Sequence, residues 1–139
     1  MLEQVTVFLE NDKGRLRALT RVLADAQVNM YALTIAETSD YGLVRIVCDD
    51  PEGAVEALRA ADMRAIVTKV LAVEVPNRPG GLADLLGVFE QLDLNIEYGY
   101  CFSVKGATAV DVLKVADPER SMAALKDAGY NLVTQQDLA

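Results

Sequence analysis

Asn77-Arg78-Pro79-Gly80-Gly81-Leu82 has a counterpart 66 positions earlier in Asn11-Asp12-Lys13-Gly14-Arg15-Leu16. Downstream, Asn29 in Val28-Asn29-Met30 and Asn95 in Leu94-Asn95-Ile96 keep the same interval. A fixed interval between two matching polar sets marks an internal duplication, which sets the domain count before any element is assigned. The predicted units are residues 1–68 and 69–139.

Outward from each asparagine the apolar pattern changes period. Val5, Val7 and Leu9 alternate with Thr6, Phe8 and Glu10, the mark of a strand with one buried face. After Gly14, residues Leu16, Leu19, Val22, Leu23 and Ala26 recur at helical spacing. Met30 to Glu37 and Leu43 to Cys48 are rich in strand formers, and Thr38-Ser39-Asp40-Tyr41-Gly42 between them has turn composition. Asp50-Pro51-Glu52 reads as a helix start, with a capping carboxylate, proline at the first position and an acid at the positive end. Ala65 to Val67 closes the unit as a fourth strand.

The second unit repeats this order. Leu71, Val73 and Val75 predict its first strand, and Leu82, Leu85, Leu86, Phe89 and Leu92 its helix stripe. Ile96 to Phe102 and Ala109 to Val115 predict a hairpin. Asp117-Pro118-Glu119 starts a helix that Gly129 ends, and Tyr130 to Thr134 is the last strand. No linker composition separates the halves, so strand runs into strand around Thr68 to Val70. The predicted fold class is α+β: two tandem ferredoxin-like βαββαβ units, each an antiparallel sheet with helices on one face.

Composition narrows the function. Of the 139 residues, 52% are hydrophobic, and the formal charge is −8. An acidic chain is poorly matched to nucleic-acid phosphates or an anionic membrane surface, so neither is an expected partner. Met1 leads into a mixed strand rather than the apolar run of a secretory leader, and the expectation is a cytoplasmic protein. Histidine is absent, which removes the commonest general base and metal ligand at neutral pH. No Walker-type or GxSxG loop is present. No catalytic constellation, metal site or cofactor is expected. Cys48 and Cys101 lack CxxC spacing and read as two small buried hydrophobes. Tyr98, Tyr100 and Phe102 share one strand face and read as packing.

The candidate ligand-binding residues are the doubled set itself: Asn11, Asp12, Gly14, Leu16, Asn29 and Met30 in the first unit. In the second they are Asn77, Arg78, Gly80, Gly81, Leu82, Asn95 and Ile96. A helix N-terminus presents unpaired N–H groups to a carboxylate. Glycine lets a ligand approach the backbone, and an asparagine amide both donates and accepts. That combination suits a zwitterion.

Asn77-Arg78-Pro79-Gly80-Gly81-Leu82 followed by Asp93-Leu94-Asn95-Ile96 resembles the signature of the ACT domain, a small regulatory module of amino-acid metabolism. The resemblance spans the chain as two tandem copies. It implies side-by-side pairing of modules, a free amino acid held between them and no catalysis. In serine-regulated phosphoglycerate dehydrogenases, the family places one asparagine in the glycine loop and another in the facing module. Carried over, these are Asn77 and Asn95. The first copy departs from the pattern, with Lys13 for the loop proline and Arg15 for the second glycine. The expected function is an amino-acid sensor acting as a homodimer or through a metabolic enzyme. The alternatives are a regulatory subunit resembling that of acetolactate synthase, an enzyme on the same fold such as an acylphosphatase, and a purely structural pair.

Overall fold

The computed structural model describes residues 1–10, 12–37 and 41–138. Contacts divide the chain into Glu3–Thr68 and a second unit of Met1–Leu2 with Lys69–Ala139. Each carries an antiparallel sheet and two helices, the tandem ferredoxin-like arrangement.

The first unit runs β1 (Leu2–Glu10), α1 (Arg15–Asp25), β2 (Met30–Glu37), β3 (Tyr41–Cys48), α2 (Pro51–Ala60) and the start of β4 (Arg64–Pro76). β3 pairs antiparallel with both β1 and β2. Alternation along β1 sends Val5, Val7 and Leu9 into a core with Leu19, Leu23, Val44, Ile46 and Leu58. The other face of β1 holds polar groups out of water. Gln4 Nε2 donates to Thr6 Oγ1 at 3.0 Å, and Thr6 Oγ1 shares a hydrogen bond with Thr68 Oγ1 at 2.9 Å.

The second unit begins in the same β4 and continues through α3 (Gly81–Gln91), β5 (Ile96–Lys105), β6 (Thr108–Val115) and α4 (Pro118–Asp127). β6 pairs antiparallel with β4 and β5. Leu71, Val73, Val75, Leu85, Phe89, Leu113 and Leu125 form its core. The two strands predicted to abut at Thr68 to Val70 are one strand of 13 residues.

Both predicted helix starts are capped as expected. The Asp50 carboxylate accepts from the Gly53 N–H at 3.0 Å, and Asp117 from the Arg120 N–H at 3.2 Å. Each cap satisfies one of the orphan donors of a first helical turn, a contribution of about 1 kcal/mol.

Four local expectations change. Tyr130 to Thr134 makes only a bridge, Val73 to Leu132, flanked by two backbone bonds to β4, and a 3₁₀ turn over Gln135–Leu138 follows. The Thr134 N–H and hydroxyl donate to the Asp137 carboxylate instead, which diverts the chain from the sheet. Tyr41 and Gly42, predicted in a turn, belong to β3; Thr38, Ser39 and Asp40 lie outside the described residues. Leu82 and Leu86 are 48% and 39% exposed, because Leu85 and Phe89, with Val88 beside them, form the face of α3 that packs on the core. Cys101 is exposed rather than buried: it lies in β5, the strand at the sheet edge, opposite Asp111.

Candidate functional site

The two strand-to-helix loops are built to one plan. In the first, the Asp12 N–H donates to Glu10 O, the Arg15 N–H to Asp12 O, and the Ala18 N–H to Gly14 O. In the second, the Arg78 N–H donates to Pro76 O, the Gly81 N–H to Arg78 O, and the Asp84 N–H to Gly80 O. All three bonds recur at the interval of the duplicated motif. Gly14 and Gly80 sit at the helix starts with φ of 83° and 88°. A side chain there would be strained, so glycine is required by the turn. Neither α1 nor α3 receives a side-chain cap. Beyond the Arg15 and Gly81 N–H groups, which the loop carbonyls hold, the first turns lack a side-chain partner beside exposed Leu16 and Leu82, an arrangement that attracts a carboxylate.

The polar residues around the second loop are partly engaged. Asn77 Nδ2 donates to Gly106 O at 3.2 Å, and the Asn77 N–H to Ala107 O at 2.8 Å, which ties the loop to the β5–β6 hairpin. The Oδ1 face of the amide remains for a donor such as an ammonium. Arg78 reaches Pro79 O and pairs with Asp84 at 3.1 Å on the surface. Gly81 has a packing reason of its own: a Cβ there would run into Pro76 O. In the first unit, Asn11 lies outside the described residues. Asp12 is exposed beside Gly14.

Asn29 and Asn95 stand elsewhere. Each follows its helix, so an 11-residue helix of about 16 Å separates it from the glycine loop of its own unit. The Asn29 N–H donates to the Asp49 carboxylate and its carbonyl accepts from the Asp49 N–H, while Asn95 O accepts from the Ala116 N–H. Both residues are exposed. Met30 and Ile96, which follow them, pack against the two cores. The doubled set is thus two clusters per unit, a glycine mouth and a remote asparagine, and within one unit they do not meet.

Two cavities lie under the loops at equivalent positions. The first, about 520 Å³, is lined by Phe8, Leu9, Glu10, Arg15, Tyr41 and residues 62–64. Its counterpart, about 320 Å³, is lined by residues 74–76, Thr108 and residues 128–131. Sequence reasoning passed over Glu10, Tyr41, Asp62 and Arg64. Their signal lies in setting the two copies side by side and asking where charge appears in only one.

Reactive groups are sparse. Burial pushes the Cys48 thiol up from 9.0 to about 11, and the neighbouring Asp49 and Asp50 charges push the same way. Across the ladder from Cys101, the Asp111 carboxyl is raised by burial, opposed by a hydrogen bond from the Cys101 thiol. Among the described residues no group of three or more acidic or cysteine side chains is placed to hold a metal, and no helix is long and apolar enough to cross a membrane.

Comparison with known proteins gives this geometry a context. Residues 1–139 match the family described as the ACT domain pair. Protein BT0572 from Bacteroides thetaiotaomicron is similar in structure, with a TM-score of 0.93 and 35% identity over 99% of this chain and 94% of that one. The regulatory subunit of aspartate kinase from Thermus thermophilus, in its ligand-free form, shares the fold at a TM-score of 0.67 and 15% identity, over 91% of this chain and 92% of that one. The corresponding subunit from Thermus flavus does so at 0.64 and 17%, over 89% and 88%. No curated protein matches the sequence.

Proposed function

Because the chain belongs to the ACT domain-pair family, we propose that it is a non-catalytic sensor that binds a free amino acid and regulates amino-acid metabolism. The observation that carries this reading is the doubled mouth: one hydrogen-bond ladder, one left-handed glycine and one uncapped helix start, all present twice. The ligand carboxylate takes the first-turn N–H groups beyond Gly81, whose own N–H is held by Arg78 O, and the Oδ1 of Asn77 takes the ammonium. Gly81 and Leu82 shape the approach, and Arg78 stands at the rim. Asn95 and Ile96 complete the pocket from a facing unit, since they lie a helix length from the loop of their own. The first-unit mouth, with Asn11, Asp12, Gly14 and Leu16, and with Asn29 and Met30 of a facing unit, is its pseudo-equivalent.

The protein works in the cytoplasm as a homodimer. It signals occupancy through its own assembly or through a metabolic enzyme, and exposed Leu16, Leu82 and Leu86 offer the apolar surface for such contacts. Thermal denaturation with each of the twenty amino acids at millimolar concentration tests the reading. A ligand present at 100 times its Kd stabilises the fold by about 2.7 kcal/mol. Loss of that shift in Asn77→Ala supports the site; absence of a shift with every amino acid overturns the sensor reading.

A further inference from the structure

A third cavity, of about 390 Å³, lies on the other face of the second unit's sheet. Leu71, Val73 and Val75 of β4 belong to the core, so alternation turns Glu74 the opposite way. Val110 of β6 is turned away likewise, since Leu113 and Val115 face the core. Phe102, Val110, Val133 and Leu138 supply apolar walls, and Glu74 and Asp137 bring carboxylates to the same lining. The last segment of the chain is fixed there by the Val133 N–H donating to Ala72 O at 2.8 Å. Both bonds from Thr134 to Asp137 end on Oδ2, at 2.8 and 3.0 Å, which leaves Oδ1 for another donor. Glu74 takes no part in the ion pairs among the described residues. No described basic side chain stands in the lining.

The duplication supplies an internal control. Glu74 and Asn131 correspond to Phe8 and Arg64, 66 and 67 positions earlier. In the first copy the chain carries its own cation at this place: the Arg64 guanidinium lies 5.4 Å from the centre of the Phe8 ring. In the second copy an aromatic ring and two carboxylates line the cavity, and the cation is missing. Burial differs in the same sense. Ile66 is 44% exposed, whereas its counterpart Val133 is 7% exposed. Like charges sharing one lining repel, and a cation between them relieves that repulsion.

We propose that this cavity binds an organic ammonium ion that has an aromatic or branched apolar body and no carboxylate. The ammonium donates to the Glu74 carboxylate and to Asp137 Oδ1, and the body rests on Phe102, Val110, Val133 and Leu138. A carboxylate on the ligand would stand beside two like charges, so a free α-amino acid is disfavoured. The volume is within the range of small-molecule sites. The site shares no side chain with the asparagine–glycine mouths and does not rest on their reading.

The experiment is a titration of the full chain with 2-phenylethylamine, 3-phenylpropanoate, phenylalanine and methylamine. Methyl NMR signals of Val110, Val133 and Leu138 read the cavity, and the Gly80 to Leu82 amides read the second mouth. 2-Phenylethylamine is expected to shift the three methyl-bearing residues and to leave the amides in place. 3-Phenylpropanoate, the body without the cation, leaves the methyls unmoved. Phenylalanine binds there at least tenfold more weakly than the amine. Methylamine, the cation without the body, is weaker to the same degree, which separates the cavity from general attraction to an acidic surface. Glu74→Gln weakens 2-phenylethylamine about tenfold, the loss of one charge-assisted hydrogen bond. Asn77→Ala leaves that affinity unchanged. The proposal is overturned if millimolar 2-phenylethylamine leaves the methyls unmoved, if any of the other three compounds matches it, or if Glu74→Gln keeps full affinity. Amide shifts at Gly80 to Leu82 with the methyls still reject this cavity while supporting the mouth.

Discussion

Asn77 holds the loop before α3 against the β5–β6 hairpin by donating its side-chain amide to the Gly106 carbonyl, 3.2 Å away. Gly106 lies at the hairpin tip with a φ of 63°, so the acceptor belongs to a turn fixed by its own backbone. The amide therefore has a structural duty on its nitrogen and leaves its oxygen for recognition. Asn77→Ala is expected to lower the unliganded stability by only about 1 kcal/mol, because the bond is exposed. Asn77→Asp removes the donor but keeps an acceptor. It should lose the hairpin contact yet retain ammonium binding, which ligand titration and hydrogen exchange at the residue-77 backbone amide, the donor to Ala107 O, together would separate.

Two glycines of α3 should respond in opposite directions to alanine. Gly81→Ala drives a methyl into Pro76 O and Val75, and a loss of about 1–3 kcal/mol is expected in chemical denaturation. Gly87→Ala meets nothing within 4 Å, and the better helix former should add about 0.5–1 kcal/mol. A gain at both positions would contradict the close approach of loop and strand.

The paired aspartate caps give a test of additivity. Asp50→Ala and Asp117→Ala should each cost about 1 kcal/mol. They act on separate helices without shared partners, so the double variant should lose the sum to within about 0.5 kcal/mol. Urea denaturation of the single and double variants measures it.

The two thiols should differ in reactivity and in their effect on stability at high pH. Cys101 is exposed and is expected to be alkylated in the native protein, whereas buried Cys48 reacts only on unfolding. Folding raises the Cys48 pKa from 9.0 to about 11, so the folded state favours the neutral thiol. Its contribution is complete below pH 9 and is lost as pH rises toward 11, since the unfolded chain releases that proton first. The loss is on the order of 2 kcal/mol. In Cys48→Ala that part of the decline between pH 9 and 11 should disappear; an unchanged slope would remove the thiol as its source.

Much of the fold was legible because duplication and period changes reinforce one another. Asp50-Pro51 and Asp117-Pro118 announced their helices through capping chemistry that acts locally, and the structure shows both caps. What escaped depends on neighbours distant in sequence. Leu82 and Leu86 fit the apolar stripe of α3, yet which row of a helix reaches the sheet is set by packing. Tyr130 to Thr134 has strand composition, but Asp137 captures the Thr134 N–H before a ladder can grow. Glycine at both helix entries is legible in the doubled motif, whereas the left-handed backbone of Gly14 and Gly80 is seen only in the structure. The first-unit cavity was not legible, because Glu10, Arg15, Tyr41 and Asp62 come together only once β1, β3 and the end of α2 are assembled.

The hydroxyl and amide chain of Gln4, Thr6 and Thr68 bears on strand alignment. Sliding β1 by one residue against its neighbour would bring Val5 toward half-buried Thr68 and leave buried Gln4 and Thr6 without these partners. Each would forfeit its partner at a cost of about 1–3 kcal/mol. Apolar replacements would tolerate such a slip far better. Those three side chains therefore act as a registration pin, keeping Phe8 and Glu10 at the strand end where the first loop and its cavity begin.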